Sequence, residues 1–597
     1  MSSQAFVHKP LSSPRSFRVL ELLPSLDFDS TVYCEIREES LDGQVEYEAL
    51  SYVWGAPTPG FSISVENKTL AVTPNCLEAL RYLRLGSRRR VLWIDAICID
   101  QGKSDQGTSE RSHQVQLMGE VYSQAQTVLV WFGASDSTTS RTFRRLKLIA
   151  MLMVLESRSR ELRVFAQLLL KWLSLPMLGT NSDTSRPRYE AITSIIRNKW
   201  WRRAWTFQEQ ALAHRCMALH GRESINLGEL MRSLFSGGLL SSRVYRMPEF
   251  HMSLLHRYLS DFSTKSAETD RSDQNSTARH ILQEAFSLES TLPVDRIYAL
   301  HALLVSICGL PLPEPDYNKA LEDVFEETVW AWILSRQDLS IIQTAARPTK
   351  IQNLPSWVPA YHLGHEHFPS DIDGKVLLRP SISFQCFSWE SNSHFCDEQY
   401  MGLAGVEKFP RTLRVKGRYI AKVTFSRGET RTDAKSGIQK CLDWCQHIHH
   451  LKARDPSGHG DALREMFETI TFGSRYISGC PDGYDDNISA FRVWFAFLLG
   501  RFPWTGGLQT LIEWMQHPLT YMLHKAFCVL DNGMMAMANY WCEVGDEVFL
   551  LRGADCPFVL RREGDSYRLV GPAYVHRLYQ AQPWRFDGDD VQDITLV

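Results

Sequence analysis

The 597-residue sequence lacks the features that mark secreted, nucleic-acid-binding and membrane-spanning proteins. Its 13 cysteines are odd in number and follow no framework spacing, which is typical of a reduced intracellular protein. Lys and Arg total 65 against 68 for Asp and Glu, so no global field exists to hold nucleic acid or an anionic membrane. Residues 1–16 are polar and contain no apolar core of a signal peptide. These absences predict a cytoplasmic protein.

Long apolar runs are also missing. The most apolar stretches, residues 146–155 and 168–175, are separated by a cluster of charged side chains that includes Arg158, Glu161 and Arg163. A helix needs about 18 uninterrupted apolar residues to span a bilayer. We therefore expect two amphipathic helices packed on a domain, and no membrane span.

What the sequence does contain is the pattern of a large globular protein with an α/β N-terminal domain. Hydrophobic residues make up 44% and charged residues 22%, and the length suggests roughly three to four domains. Apolar strands are expected at residues 48–53, 91–94 and 127–132, with helices from Pro74 and over 109–125 between them. This alternation predicts a parallel, doubly wound sheet.

The remaining chain changes character twice. Amphipathic helices are expected at residues 295–305 and 320–334, and from residue 413 onward short β-strands punctuated by glycine predict a small sandwich or barrel. A helical insert, about residues 433–471, interrupts these strands. We therefore predict an N-terminal α/β domain over residues 1–235, a helical middle region over 236–410 and a β-rich C-terminal domain over 411–597.

Three short blocks place polar and aromatic side chains where apolar runs end, the position at which open α/β sheets build binding sites. The blocks are YEALSYVWG from Tyr47, WIDAICIDQ from Trp93 and WWRRAWTFQE from Trp200. In order and spacing they resemble the fungal heterokaryon-incompatibility (HET) domain. The matching positions are Tyr47, Leu50, Ser51, Tyr52, Trp54, Gly55, Asp95, Cys98, Ile99, Gln101, Arg203, Trp205, Gln208 and Glu209.

The HET family is in turn similar to TIR domains, several of which cleave NAD. The resemblance implies a TIR/flavodoxin-like parallel sheet in which Trp205-x-x-x-Glu209 corresponds to the TIR helix that carries the catalytic glutamate. It also implies self-association, since TIR-type enzymes commonly assemble to complete their sites. NAD then enters as a substrate, and neither a cofactor nor a metal is expected.

The candidate site residues follow from this resemblance and from the chemistry. Trp205 and Glu209 are four residues apart on a helix and share a face. Glu209 would stabilise the oxocarbenium-like state of nicotinamide–ribose cleavage, and Trp205 or Trp54 would stack on a ring of NAD. The alternative is structural: Glu209 pairs with Arg202 or Arg203, and Trp205 packs in the core.

Three further residues complete the predicted substrate-binding set. Asp95 ends a buried strand and is interpreted as a ribose contact or loop anchor, or alternatively as an N-cap or turn acceptor. Ser51 is either a site hydroxyl or the outward residue of an edge strand, and Arg203 is assigned with the third block. A Cys441-x-x-x-Cys445 pair followed by histidines lies in an amphipathic helical pattern and is not interpreted as a zinc site.

Three functions stay open on the sequence. The favoured one is heterokaryon incompatibility and programmed cell death signalling with NAD cleavage through Glu209, acting with an incompatibility partner protein. The alternative is a non-catalytic, oligomerising interaction module that recruits a separate death effector. A third is a metabolic enzyme whose site lies in the C-terminal half, around Asp546 or His576.

Overall fold

A computed structural model describes residues 4–55, 60–102, 105–158, 192–235, 277–279, 281–282, 285–306, 308–345, 353–361, 406–428, 462–471, 486–498, 525–580, 584, 586 and 588–597. The chain forms two compact units. The first comprises residues 1–276, 287–309 and 313–318, and the second comprises residues 277–286, 310–312 and 319–597. The three-part division with boundaries at 235 and 410 stays a prediction.

In the part that the structure describes, the first unit combines nine strands with helices. Its strands are β1 (Ser16–Leu22), β2 (Tyr33–Ser40), β3 (Glu48–Tyr52), β4 (Ser62–Val65), β5 (Lys68–Ala71), β6 (Arg90–Trp93), β7 (Thr127–Trp131), β8 (Cys216–His220) and β9 (Glu223–Asn226). Its helices are α1 (Pro74–Leu83), α2 (Asp95–Cys98), α3 (Asp105–Gln124), α4 (Ser137–Arg158), α5 (Ala204–Ala211), α6 (Leu227–Phe235) and α7 (Asp295–Ser306), and a 3-10 turn, Lys199–Arg202, precedes α5.

The strands form one sheet in the order β5-β4-β2-β1-β6-β3-β7-β8-β9. Its centre, β6-β3-β7-β8, is parallel, which confirms the predicted parallel sheet in the N-terminal region. Of these four strands, β3 comes first along the chain. In the sheet, β6 lies on one side of β3 and β7 lies on the other. The winding direction therefore reverses at β3, and ligands of open α/β sheets bind beside such a reversal. The finer TIR/flavodoxin-like assignment stays a prediction.

The two faces of this sheet are covered by different helices. On one face, Tyr82 of α1 packs against Trp131 with ring centroids 5.1 Å apart. On the other, Tyr122 of α3 contacts Trp93 at 5.2 Å. Trp131 is the register partner of Tyr52 in β3, and Trp93 is the register partner of Ala49 in the same strand. Ala49 and Tyr52 are three residues apart, and side chains alternate along a strand, so the two tryptophans point to opposite faces of the sheet.

Local sequence explains several of these elements. Pro74 occupies the first turn of α1, and the Thr73 hydroxyl accepts a hydrogen bond from the Cys76 amide at 3.3 Å. The β4–β5 hairpin turns at Glu66 and Asn67, both with positive φ. The pair β8 and β9 is not predicted from the sequence. The five residues of β8 (CMALH) contain no β-branched side chain, and pairing with β7 determines their conformation.

The second unit is rich in β-strands, which confirms that part of the prediction. Its strands are β10 (Glu407–Phe409), β11 (Thr412–Gly428), β12 (Lys525–Leu530), β13 (Met535–Asn539), β14 (Glu547–Leu551), β15 (Pro557–Glu563), β16 (Ser566–Pro572), β17 (Tyr574–Val575) and β18 (Val591–Leu596). Its helices include α8 (Leu321–Arg336), α9 (Ala462–Ile470), α10 (Asn487–Leu498) and α11 (His576–Gln580).

The long strand β11 organises this second sheet. It pairs in succession with β18, β14 and β12, and its register shifts at residues 419–421 and 423–425 bend it between partners. Because β14, β15, β16 and β18 are also successive neighbours, the β11–β14 pairing closes a ring of strands. The ring corresponds to the barrel among the predicted architectures.

The sequence also predicts helices in segments outside the first sheet. The expected helices at 295–305 and 320–334 are present as α7 and α8. Of the predicted helical insert at 433–471, residues 462–471 are described and contain α9, and the remainder lies outside the described residues. Residues 159–191, with the apolar stretch at 168–175, also lie outside them.

Candidate functional site

A buried carboxyl group lies against the first parallel strand of the sheet. Glu209, on α5, is only 3% exposed, and its Oε2 accepts a hydrogen bond from the Ser51 hydroxyl. Ser51 is itself 1% exposed and lies next to the last residue of β3. It lies two residues from Ala49, so it points to the sheet face covered by α3. The two predicted residues therefore meet at the carboxyl edge, where the winding reverses.

A tryptophan that the sequence analysis did not select completes this contact. Trp200 is fully buried in the 3-10 turn before α5, and its indole Nε1 donates to Ser51 Oγ at 2.7 Å. The Ser51 hydroxyl therefore accepts from Trp200 and donates to Glu209. Since 149 residues separate Trp200 from Ser51, no local pattern predicts their contact. The available signal is the doubled tryptophan that opens the third block.

Asp95 and Trp54 fix each other at the same edge of the sheet. Trp54 Nε1 donates to Asp95 Oδ2 at 2.8 Å, while Oδ1 accepts from the Ala96 amide at 2.7 Å. Asp95 follows β6 and begins the short helix α2, so the turn-acceptor interpretation accounts for one of its oxygens. Because the Trp54 indole N–H already has a partner, its ring face is what remains for a ligand.

Arg203 supplies positive charge to this group. Its Nη1 donates to the main-chain carbonyl of Tyr52 at the end of β3. The neighbouring Arg202 instead pairs with Glu289, with 2.8 Å between Nη2 and Oε1. Arg203 therefore lies where its charge acts on both Asp95 and Glu209, and Arg202 is held by another carboxylate.

Trp205 is directed to a different cluster. Its indole hydrogen-bonds the carboxylate of Asp295 on α7, which also accepts from the Tyr317 hydroxyl at 2.8 Å. Trp205 is partly buried and packs against the core of the first unit. The structure thus brings together Ser51, Trp54, Asp95, Arg203 and Glu209, and engages the polar atom of Trp205 elsewhere.

The environment changes the acid–base character of both carboxyl groups. Burial is the largest influence on Glu209 and raises its pKa to about 7, reinforced by the negative charge of Asp95. The charge of Arg203 and the hydrogen bonds from Ser51 and Tyr122 oppose this increase. Burial likewise raises the pKa of Asp95, against the charge of Arg203 and the Trp54 N–H. Glu209 therefore exchanges its proton near neutral pH.

The residues proposed for a C-terminal enzyme site are engaged in structural contacts. Asp546 accepts two hydrogen bonds from Arg561, at 2.8 and 3.0 Å. His576 lies 3.0 Å from Glu468 through Nε2 and 2.8 Å from the Tyr574 hydroxyl through Nδ1. The Cys441–Cys445 segment lies outside the described residues. Within the described ranges, no three His, Cys, Asp or Glu side chains are grouped as a metal site would require.

Comparison with known proteins finds a family match over the segment that contains Ser51 and Glu209. Residues 47–209, from the strand that carries Ser51 to Glu209 itself, match the family model described as Heterokaryon incompatibility protein (HET). This segment of the chain is similar to the HET domain.

A relative extends the similarity beyond this domain. The chain is 25% identical to Heterokaryon incompatibility protein 6, OR allele, of Neurospora crassa, and the match covers 94% of each chain. No solved structure matches the chain. Among the described residues, no helix is both long and apolar enough to cross a membrane.

Proposed function

We propose that this protein acts in fungal heterokaryon incompatibility and that its N-terminal unit cleaves NAD to nicotinamide and ADP-ribose. The incompatibility role is supported by the HET-domain match and by the Neurospora relative. The cleavage is supported by one observation in particular. A buried carboxyl group, Glu209, lies at the winding reversal of a parallel sheet with its pKa raised to about 7.

The reaction needs few groups. The bond between the ribose C1′ and the nicotinamide nitrogen breaks, and its electron pair stays on the nitrogen, which neutralises the pyridinium. Water then attacks C1′ and releases a proton, giving ADP-ribose. The Glu209 carboxylate stabilises the positive charge that develops on the ribose and accepts hydrogen bonds from its hydroxyls. Asp95 contacts the ribose, and the ring of Trp54 stacks on a ring of the substrate.

The burial of Glu209 gives the non-catalytic alternative its own support. At 3% exposure, and with Ser51 as a hydrogen-bond donor, the carboxyl group also fits a purely structural role. In that case the HET domain is an oligomerising module that recruits a separate death effector. The catalytic proposal therefore includes a step that opens the site, which we assign to self-association with a second copy or with an incompatibility partner.

The test is nicotinamide release from NAD by the purified full-length protein over a range of protein concentrations. We expect release to rise faster than linearly with concentration and to be lost in Glu209→Gln and Glu209→Ala. Glu120→Gln removes the same charge from a half-exposed glutamate on α3 and serves as the matched control. If folded, self-associated protein leaves NAD intact, cleavage is refuted and the recruiting module becomes the function.

A further inference from the structure

A cavity of about 410 Å³ opens on the sheet face opposite to Glu209. Trp131 and Tyr82 form part of its wall, so it belongs to the face covered by α1. Ser51 and Glu209 lie on the α3 face. The cavity is also lined by Phe28 and four arginines. We call it the arginine cavity, after Arg81, Arg84, Arg90 and Arg222.

The lining has a strong excess of positive charge. It contains four arginines and no aspartate or glutamate. Only one of the four has a close carboxylate partner: Arg90 binds Glu48 through two nitrogens, at 2.5 and 3.0 Å. Arg84 is 9% exposed and donates to four main-chain carbonyls, of residues 27, 28, 30 and 31. Carbonyl oxygens satisfy its N–H groups without cancelling its charge.

The other two arginines have donor capacity left for a ligand. Arg81 has only long contacts with Asp29: its Nη1 lies 3.8 Å from a carboxylate oxygen, and its Nη2 donates to the main-chain carbonyl at 3.4 Å. The buried Nε of Arg81 has no hydrogen-bond partner. Arg222 lies over the ring of Phe28, 5.9 Å from its centroid, and makes no hydrogen bond or ion pair with any described residue. Planar guanidinium groups with unused N–H pairs match the oxygens of a phosphate.

Aromatic surface accompanies this charge. Phe28 and Tyr82 both line the cavity, and their rings meet edge to face with centroids 5.0 Å apart. The volume lies in the range of small-molecule sites, about 300–1,000 Å³. We propose that the arginine cavity binds a nucleotide, with its phosphate on Arg81 and Arg222 and its base against Phe28. This site is separate from the NAD site proposed around Glu209.

The proposal is tested by calorimetric titration of the full-length protein with AMP and, separately, with inorganic phosphate. AMP is expected to bind saturably. The Arg81→Gln/Arg222→Gln variant should bind it at least about tenfold more weakly, since a hydrogen bond to a charged group contributes about 1.5–3 kcal/mol. Phe28→Leu should weaken AMP binding and leave phosphate binding unchanged.

The control is Arg37→Gln, which removes an exposed, carboxylate-paired arginine from β2 outside the cavity, and melting temperatures verify that each variant is folded. Absence of saturable AMP binding overturns the proposal, and so does equal weakening in Arg37→Gln. If Phe28→Leu has no effect on AMP, the cavity holds an anion and the nucleotide assignment is wrong. AMP binding that persists in Glu209→Gln supports an arginine cavity that is independent of the NAD site. This result holds whether or not the protein cleaves NAD.

Discussion

Replacing Glu209 with glutamine is expected to stabilise the folded protein relative to wild type at pH 8, and much less at pH 5. Burial raises the pKa of Glu209 from its ordinary value of 4.5 to about 7 in the folded state. Between these values the unfolded chain releases a proton that the folded protein retains. The free energy of unfolding therefore falls as pH rises through this window, and becomes constant above pH 7. Glutamine carries no titrating proton and escapes this loss.

The magnitude follows from the shift. The difference between 7 and 4.5 is 2.5 pH units, which at about 1.4 kcal/mol each gives an upper value of about 3.5 kcal/mol. For a unit of this size, each kcal/mol changes the melting temperature by roughly 2–4 °C. The advantage of Glu209→Gln should therefore grow by several degrees between pH 5 and 7 and then level off.

The assay measures the melting temperatures of wild type, Glu209→Gln and Glu120→Gln at four pH values between 5 and 8. Tryptophan fluorescence reports the unfolding transition. The glutamine NH₂ changes the absolute level of stability at the buried position, so the change with pH is the informative quantity. Glu120 is 47% exposed by its side chain and paired with Arg15, so its variant controls for loss of a surface charge. A difference between Glu209→Gln and wild type that is the same at every pH refutes the buried, proton-carrying carboxyl group.

Three further outcomes are expected. The ratio kcat/KM for nicotinamide release should rise from pH 6 to 8 with a midpoint near 7, because this ratio reports the free enzyme and the carboxylate form of Glu209 is the active one; a pH–rate profile measures this. Ser51→Ala removes a donor to that carboxylate, so it should move the midpoint upward and cost about 1–3 kcal/mol in denaturant unfolding. Arg18→Ala should cost roughly 3–5 kcal/mol in the same assay, because it leaves Glu110 buried without its partner at 2.6 Å.

The sequence predicted the central sheet because its strands are apolar runs separated by helices of 3.6-residue periodicity. The strand at 127–132 is an example: its first five residues are TVLVW, and the structure places β7 over them. It did not predict β8 and β9, whose short mixed sequences become strands only through pairing with a neighbour. The division of the chain into units also depends on long-range contacts that local patterns do not contain.

In the candidate site, too, local sequence patterns predicted some features, and others depend on contacts between residues far apart in the chain. The end of β3 and the start of α2 placed Ser51 and Asp95 at one edge of the sheet, as expected from strand ends alone. Helical spacing put Trp205 and Glu209 on one face, yet the Trp205 indole N–H reaches Asp295. Whether an indole hydrogen-bonds a substrate or a distant carboxylate depends on which helix packs beside it, and spacing within one helix carries no such information.

The burial of Glu209 is compatible with its proposed role in NAD cleavage for an electrostatic reason. A neutral Glu209 fits an enclosed site at much lower cost than a carboxylate does, and the raised pKa is the expression of that cost. The nicotinamide ring of NAD is cationic, so its arrival favours the ionised form and lowers the pKa that burial raised. Ionisation is then coupled to substrate binding, and the empty site avoids an unpaired buried charge. In a merely structural role, ionisation of Glu209 would not be needed, and a glutamine would replace it without loss of function.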